Sequence, residues 1–217
     1  MLPRKNGVQG GPGLPTIPGD RHSSKDPAIV TDASREALGL MARMASSDQA
    51  ALARLITLYG RGMRIVATRY IGDAAAAEDI VQEAFLRAWT EARRFDPARG
   101  SAAAWLYRIA INLCIDQQRR RRLVRFFGLD GEADVTETDD PGAEQIVQGR
   151  QNLARVRRQI AALPGPQRMA ILLSAVAGMD GAEIAATMDR SRGSVEQLLV
   201  RARRTLRLGL EGEVDDG

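Results

Sequence analysis

Apolar residues recur at spacings of three and four over two long stretches of the chain, Asp32 to about Arg122 and Ala143 to Leu210, and both stretches read as helical. The clearest stripe is Ala77, Ile80, Val81, Ala84, Phe85, Ala88 and Trp89, with Glu78, Asp79, Gln82, Glu83 and Arg87 on the opposite face. Ahead of it, Ser47 or Asp48 is placed to cap a helix reaching Tyr70, whose inner face carries Leu52, Leu55, Tyr59, Met63 and Val66. Gly72-Asp73 breaks the chain between the two helices. Phe95-Asp96-Pro97-Ala98-Arg99-Gly100 reads as a turn, and Ser101 caps a further helix running Trp105-Leu106-Tyr107-Arg108-Ile109-Ala110-Ile111-Asn112 and onward into arginines. The first stretch is therefore a bundle of three or four helices.

In the second stretch, Leu163-Pro164-Gly165-Pro166 separates two helices, and Asp180-Gly181-Ala182-Glu183 has the form of a capping box. A short helix Gly181–Met188, a turn at Asp189-Arg190-Ser191 and a long helix from Arg192 make a helix-turn-helix. Val195, Leu198, Leu199, Ala202 and Leu206 form the inner stripe of the last helix. Arg192, Ser194, Glu196, Gln197, Arg201, Arg203, Arg204 and Arg207 face outward. The expected fold class is all-α: two small helical domains joined by a flexible acidic linker, the second containing the helix-turn-helix. The boundaries read as a tail over 1–33, a first domain over 34–125, a linker over 126–143, a second domain over 144–210 and a short tail over 211–217.

Composition narrows the chemistry. Of 31 basic residues all but Lys5 and Lys25 are arginine, which fits phosphate and base-edge recognition and equally fits a compositional bias of the genome. Five arginines fall in residues 119–125, whereas the segment after Phe126 collects Asp130, Glu132, Asp134, Glu137, Asp139 and Asp140. That acidic segment admits two readings, a solvated spacer or an insert into a basic channel. The one histidine, His22, lies in the Gly- and Pro-rich tail, so neither a metal centre nor a histidine-based triad is expected. Cys114 is alone and on an apolar face, where it reads as a small core residue. No apolar run is long enough to span a membrane, and no secretory leader is evident. No cofactor, metal or catalytic residue is expected.

Three surfaces carry candidate chemistry. The face of Asp79, Gln82 and Glu83 is either solvated surface favoured by a helix N-terminus or a site for a protein partner. Trp105, Arg108, Asn112 and Arg119 combine an aromatic, an amide and cations on one helix, a set suited to unpaired nucleic acid, although Trp105 also reads as core. On the last helix, Arg192 suits guanine, Gln197 adenine and Ser194 either, while Arg201 and Arg204 suit phosphate. A purely structural hairpin with a solvated arginine face is the plain alternative.

The order of these motifs resembles the extracytoplasmic-function (ECF) sigma factors of bacteria. The resemblance rests on the Asp79-Ile80-Val81-Gln82-Glu83 helix, Phe95-Asp96-Pro97-Ala98-Arg99-Gly100-Ser101, Trp105-Leu106-Tyr107-Arg108-Ile109-Ala110 with Asn112, and the arginine-rich end. It covers roughly residues 38–125 and 146–210, where Glu183-Ile184-Ala185, Ser191-x-Gly193-x-Val195 and Arg201-Ala202-Arg203 match. Two departures stand out: Ala102-Ala103-Ala104 where relatives often place an aromatic, and the outward Glu196.

The resemblance implies core RNA polymerase as the partner of Asp79, Gln82 and Glu83. It also implies melted promoter DNA at Trp105, Arg108, Asn112 and Arg119, with Tyr107 and Asp116 beside them, and upstream duplex at Arg192, Ser194, Gln197, Arg201 and Arg204. It further implies an anti-sigma protein, in many relatives membrane-anchored, a cytoplasmic site of action and no enzymatic step. The rival reading is a helix-turn-helix repressor or activator that binds duplex DNA without acting as a sigma factor.

Overall fold

The computed structural model describes residues 32–126 and 147–212. Every regular element among them is helical: α1 (Asp32–Ala45), α2 (Gln49–Ile71), α3 (Ala74–Glu91), α4 (Ala102–Phe126), α5 (Val147–Ala162), α6 (Gly165–Ala175), α7 (Gly181–Met188) and α8 (Arg192–Gly212). Two short 3-10 turns, Ala92–Arg94 and Pro97–Arg99, lie between α3 and α4. The acidic segment 127–146 and the N-terminal residues 1–31 fall outside the described residues, and with them the linker and tail expectations. Helix α1 begins at Asp32, two residues inside the expected tail, and α4 runs through Phe126.

Local chemistry sets the helix starts. Asp48, not Ser47, caps α2: its carboxylate accepts from the backbone N–H of Ala50 at 2.9 Å and of Ala51 at 3.2 Å. Ser47 instead takes the left-handed conformation that turns the chain, with φ 64°. Arg43 pairs with the same carboxylate at 2.7 Å, and that hydrogen bond, with those from the backbone, holds the Asp48 carboxyl below its ordinary range. Gly72 ends α2 in the left-handed region at φ 79°, where a side chain would be strained. Asp73 then caps α3 by accepting from Ala76 N–H at 3.0 Å. The same Asp73 receives Arg121 from α4 at 2.5 Å, so one carboxylate starts α3 and ties the far end of α4 to it.

Helices α1 to α4 bury the expected stripes. Ala77, Ile80, Val81, Ala84, Phe85 and Ala88 of α3 are buried, as are Leu55, Met63 and Val66 of α2 and Leu106, Tyr107, Ala110, Ile111 and Cys114 of α4. Burial pushes the Cys114 thiol up to about 12, in keeping with a core role rather than a reactive one. Gly62 lets α2 and α4 approach, since a Cβ there would collide with the Tyr107 hydroxyl.

Helices α5 to α8 pack mainly through α6 and α7 on α8, with Leu163, Met169, Leu172, Leu173, Met179, Ile184, Val195 and Ala202 buried. The capping box is complete: Asp180 accepts from Ala182 and Glu183 N–H, and the Glu183 carboxylate accepts from Asp180 N–H at 3.1 Å. Asp189 closes α7 in the left-handed region at φ 53°, and Ser191 Oγ accepts from Ser194 N–H at 3.3 Å to start α8. That sequence of cap, left-handed residue and cap produces the helix-turn-helix.

The two groups of helices also meet. Helix α7 packs on α4, and α5 and α6 pack on α2, so buried residues of both belong to one continuous apolar core. Arg168 of α6 is the polar centre of this junction. Its guanidinium donates to the carbonyl of Tyr70 at 3.1 Å, to that of Leu163 at 3.0 Å and to that of Ala161, and it lies 5.8 Å from the centre of the Tyr70 ring. The Tyr70 and Ala161 carbonyls are helix-end acceptors that have no partner within their own helices, and Leu163 follows the end of α5.

The double duty of Asp73 gives a stability test. Asp73→Ala is expected to destabilise the chain by about 0.5–2 kcal/mol, the usual range for a lost N-cap. The hydrogen bond from Ala76, then Arg121, lowers the folded-state carboxyl pKa below its unfolded value. The charged-state contribution is therefore complete above the unfolded value and lost as pH falls through the folded one. Urea denaturation should show the gap between wild type and variant at neutral pH and a narrowing below about pH 4. A gap that does not change with acid would mean that the Asp73 charge adds nothing to the cap.

Candidate nucleic-acid interface

The acidic face of α3 points outward because the apolar stripe points inward. Asp79 and Gln82 are exposed. Glu83 is half-buried and pairs with Arg87 one turn on at 2.7 Å, and Glu78 reaches Arg64 of α2 at 4.0 Å. Leu86 lies beside Gln82 and Glu83 on this face and is 61% exposed. The sequence reading left it out, since it falls between the stripe positions. The only available signal was that a leucine occupied a place where a solvated helix carries a charge. An apolar side chain flanked by an amide and two carboxylates has the composition of an interface centre and its rim.

The loop before α4 is built as tightly as the helices. Asp96 accepts from Ala98 N–H at 2.9 Å and Pro97 sets the first position of the turn. Ser101 then caps α4, its Oγ accepting from Ala104 N–H at 3.1 Å. Trp105 is half-buried, with its ring edge-on to Phe95 at 5.8 Å. It packs partly against the core and partly forms the wall of a cavity. A small cavity of about 60 Å³ lies here, lined by Phe95, Asp96, Arg99, Ser101, Trp105 and Arg108, with Ala186 of α7 on its far side.

Farther along α4, Asn112 and Arg119 line a larger cleft of about 280 Å³, facing Tyr70, Met169 and Arg190. The four residues expected to share one surface are therefore split between two concavities, Trp105 and Arg108 in one, Asn112 and Arg119 in the other. Tyr107 is in neither. It is 4% exposed and its hydroxyl is pushed up to about 12 by burial, so it cannot stack on a base. The arginine run is likewise divided, because consecutive residues turn about 100° on a helix. Arg119 is exposed and 3.8 Å from Asp116, Arg121 turns in to Asp73, and Arg122 joins the cleft.

On the helix-turn-helix, Arg192, Gln197, Arg201 and Arg204 are exposed and Ser194 is half-buried. These residues lie along the outer side of α8, with Arg192 and Ser194 at its start, where a recognition helix meets base edges. Glu196 has a partner that the sequence reading overlooked: its carboxylate accepts from Arg192 Nε at 3.1 Å. The guanidinium best placed for guanine is thus held by a carboxylate one turn further along its own helix. Among the described residues there is no group of His, Cys, Asp and Glu fit to hold a metal, and no helix is long and apolar enough to cross a membrane.

Two protein families match successive parts of the chain. The Sigma-70 region 2 family matches residues 55–124 and the Sigma-70 region 4 family matches residues 153–206. The RNA polymerase sigma factor CnrH of Cupriavidus metallidurans is 34% identical over 80% of this chain and 94% of its own. The ECF RNA polymerase sigma factor SigL of Mycobacterium tuberculosis is 33% identical over 79% of this chain and 97% of its own.

Among solved structures, CnrH in complex with the cytosolic domain of CnrY superposes with a TM-score of 0.61 at 30% identity, covering 83% of this chain and 99% of CnrH. The sigma factor RpoE of Bartonella quintana, in complex with the anti-sigma factor NepR, gives 0.60 at 25% identity, covering 73% and 96%. With matches to both regions, in order and over nearly the full length of these relatives, the chain belongs to the ECF family of RNA polymerase sigma factors.

Proposed function

We propose that this chain binds core RNA polymerase through the α3 face of Asp79, Gln82 and Glu83 and directs it to promoters. In this reading α8 reads upstream duplex with Arg192, Ser194 and Gln197 at base edges and Arg201 and Arg204 on phosphates. Helix α4 and its loop hold the unwound strand, with Trp105 and Arg108 at the loop cavity and Asn112 and Arg119 along the cleft. The observation that carries the proposal is the coexistence on one chain of an outward acidic face, an aromatic-lined loop cavity and an exposed arginine helix within the two matched sigma regions. A duplex-binding repressor or activator accounts only for the last. The factor acts in the cytoplasm, where the polymerase is, and contributes no covalent chemistry. CnrH was solved with the cytosolic domain of CnrY and RpoE with the anti-sigma factor NepR, and by analogy with the latter an anti-sigma protein restrains this chain as well.

The polymerase face is tested by charge reversal. Asp79→Arg with Glu83→Arg is expected to abolish co-purification with core polymerase while circular dichroism stays helical, because both residues lie off the buried stripe. Stoichiometric co-purification of the double variant would reduce the acidic helix to solvated surface.

Duplex reading predicts two different phenotypes on α8. Arg192→Ala should cost about 1–3 kcal/mol at one base position and relax preference there. Arg204→Ala should weaken all sequences alike and flatten the dependence of log affinity on log salt by about one unit. Identical footprints and salt slopes for the two variants would remove the division between base and phosphate contacts.

Strand holding predicts a template-dependent defect. Arg108→Ala with Asn112→Ala should leave polymerase binding and duplex affinity near wild type, yet sharply lower permanganate reactivity of unpaired thymines on linear promoters. Pre-melted or supercoiled templates should restore it, since the cost of unpairing is then met by the template. Equal loss on duplex and pre-melted templates would argue against a role in opening.

A further inference from the structure

We infer that the cleft between α4 and the start of α6 is a binding site for a free nucleoside di- or triphosphate, with the phosphates on Arg119, Arg122 and Arg190 and the ring against the apolar wall. The strand-holding proposal uses Asn112 and Arg119 of this cleft and leaves Arg122 and Arg190 without a task; the present inference goes beyond it and does not depend on polymerase binding. The cleft has a volume of about 280 Å³. Its walls come from Tyr70 of α2, from α4 between Ile111 and Arg122, from the first turns of α6, and from Met188 and Arg190.

Three guanidiniums line this space and no carboxylate does. Elsewhere exposed arginines meet acids, as Arg43 meets Asp48, Arg54 meets Glu36 and Arg87 meets Glu83. Here Arg119 lies 3.8 Å from Asp116, and among the described residues no carboxylate pairs with Arg122 or Arg190. Burial raises the Tyr70 hydroxyl above its ordinary pKa, while the charges of Arg168, Arg122 and Arg119 act against it. Several cations thus surround one hydroxyl. The N-terminus of α6 opens on the same cleft, and Pro164 brings no side chain to cap it, so the positive end of that helix adds to the field. A nucleic-acid strand carries one negative charge per phosphate. Three unneutralised guanidiniums around so small a space match the several charges of a di- or triphosphate better than one strand phosphate.

Size and lining select the rest of the ligand. The cleft exceeds the roughly 150 Å³ that accepts a benzene ring and falls just short of the roughly 300–1,000 Å³ of most small-molecule sites. That is room for one nucleotide and not for two. The three arginines are exposed, whereas Met169 is buried and Ile115 and Met188 are half-buried, so the cations stand at the rim and the apolar surface lies deeper. Asn112 and Gln118 set amide donors and acceptors beside that surface, as a base edge requires. An inorganic anion would use the rim and leave the apolar wall bare. A neutral ring would use the wall and leave the cations without a partner.

The experiment titrates the full chain into ADP or GDP carrying an N-methylanthraniloyl group on the ribose and follows fluorescence anisotropy. Arg122→Gln and Arg190→Gln each remove one rim charge at an exposed position. Arg120→Gln is the charge-matched control, an exposed neighbour on α4 that does not line the cleft. Unlabelled ADP, GDP, adenosine, pyrophosphate and a mixed-sequence DNA oligonucleotide without terminal phosphate serve as competitors. Thermal unfolding checks that every variant is folded.

Saturable binding is expected, reversed by unlabelled ADP or GDP and at least about tenfold less readily by pyrophosphate or adenosine, since each of those makes only part of the charged and apolar contacts. Arg122→Gln and Arg190→Gln should each weaken it about tenfold or more, the usual effect of losing a hydrogen bond to a charged group, and Arg120→Gln should not. Nucleotide should also raise the unfolding midpoint of the wild-type chain more than that of either cleft variant. No saturation up to about 1 mM nucleotide, or an equal loss in Arg120→Gln, would overturn the site. Displacement by pyrophosphate as readily as by ADP would reduce it to an anion site and overturn the nucleotide assignment. Displacement by the oligonucleotide at lower nucleotide concentration than by ADP or GDP would give the cleft to the strand instead. Loss of co-purification with core polymerase, measured separately, would sink the sigma-factor reading and leave these titrations untouched.

Discussion

The arrangement of the whole chain depends on one guanidinium. Arg168 is half-buried, and burial lowers its pKa, with the charge of Arg122 adding to that and Tyr70 acting in the opposite direction. A buried cation is costly unless its donors are used; here both terminal nitrogens are used, on carbonyls at the end of α2, at the end of α5 and just past it, while the buried Nε has no partner among the described residues. Helix C-termini carry partial negative charge, so the cation and the acceptors offset each other's burial. Removing the side chain would leave helix-end carbonyls without their partner and take away the polar contact that fixes how α6 lies on α2. Gly165, three residues earlier, keeps the close approach: a Cβ there would sit 3.2 Å from the Tyr70 hydroxyl.

Around that junction, short-range rules do most of the building. The Asp48 cap, the Gly72-Asp73 break, the Ser101 cap and the Asp180–Glu183 capping box were all legible in the sequence, because each is decided by residues within four positions of one another. The stripes of α2, α3 and α8 were legible for the same reason, and they determine which face of each helix is left for partners. That is why Asp79, Gln82, Gln197, Arg201 and Arg204 were assigned outward from sequence and are exposed in the structure.

What the sequence withheld is long-range or combinatorial. Asp73 with Arg121, Ser101 with Glu183 and Tyr70 with Arg168 are separated by 48, 82 and 98 positions, and no periodicity announces them. Tyr107 looked like a partner of Trp105 for stacking, but residues two apart on a helix do not share a face, and Tyr107 falls on the buried one. Arg108 and Asn112 do share a face, yet packing of α7 across α4 divides that face into a cavity and a cleft. The Arg192–Glu196 pair was open to a local reading, since opposite charges four apart on a helix commonly meet. The sequence reading looked only outward from Glu196, toward DNA, and so overlooked its neighbour.

That pair bears on how specificity is set. An exposed ion pair at this spacing is worth only a few tenths of a kcal/mol, far less than a bidentate guanine contact. In the proposed duplex reading, Glu196 would therefore not prevent Arg192 from reaching a base; it would bias the direction from which the guanidinium starts. Once Arg192 turns to DNA, the Glu196 carboxylate is left beside the groove. There it is repelled by phosphate, and among the base edges only a donor such as the cytosine amino group satisfies it. On that proposal the pair would act as a filter: promoters that place a guanine under Arg192 and an amino-bearing base, cytosine or adenine, within reach of Glu196 would satisfy both charges. Those that offer only phosphate leave one of them unpaired.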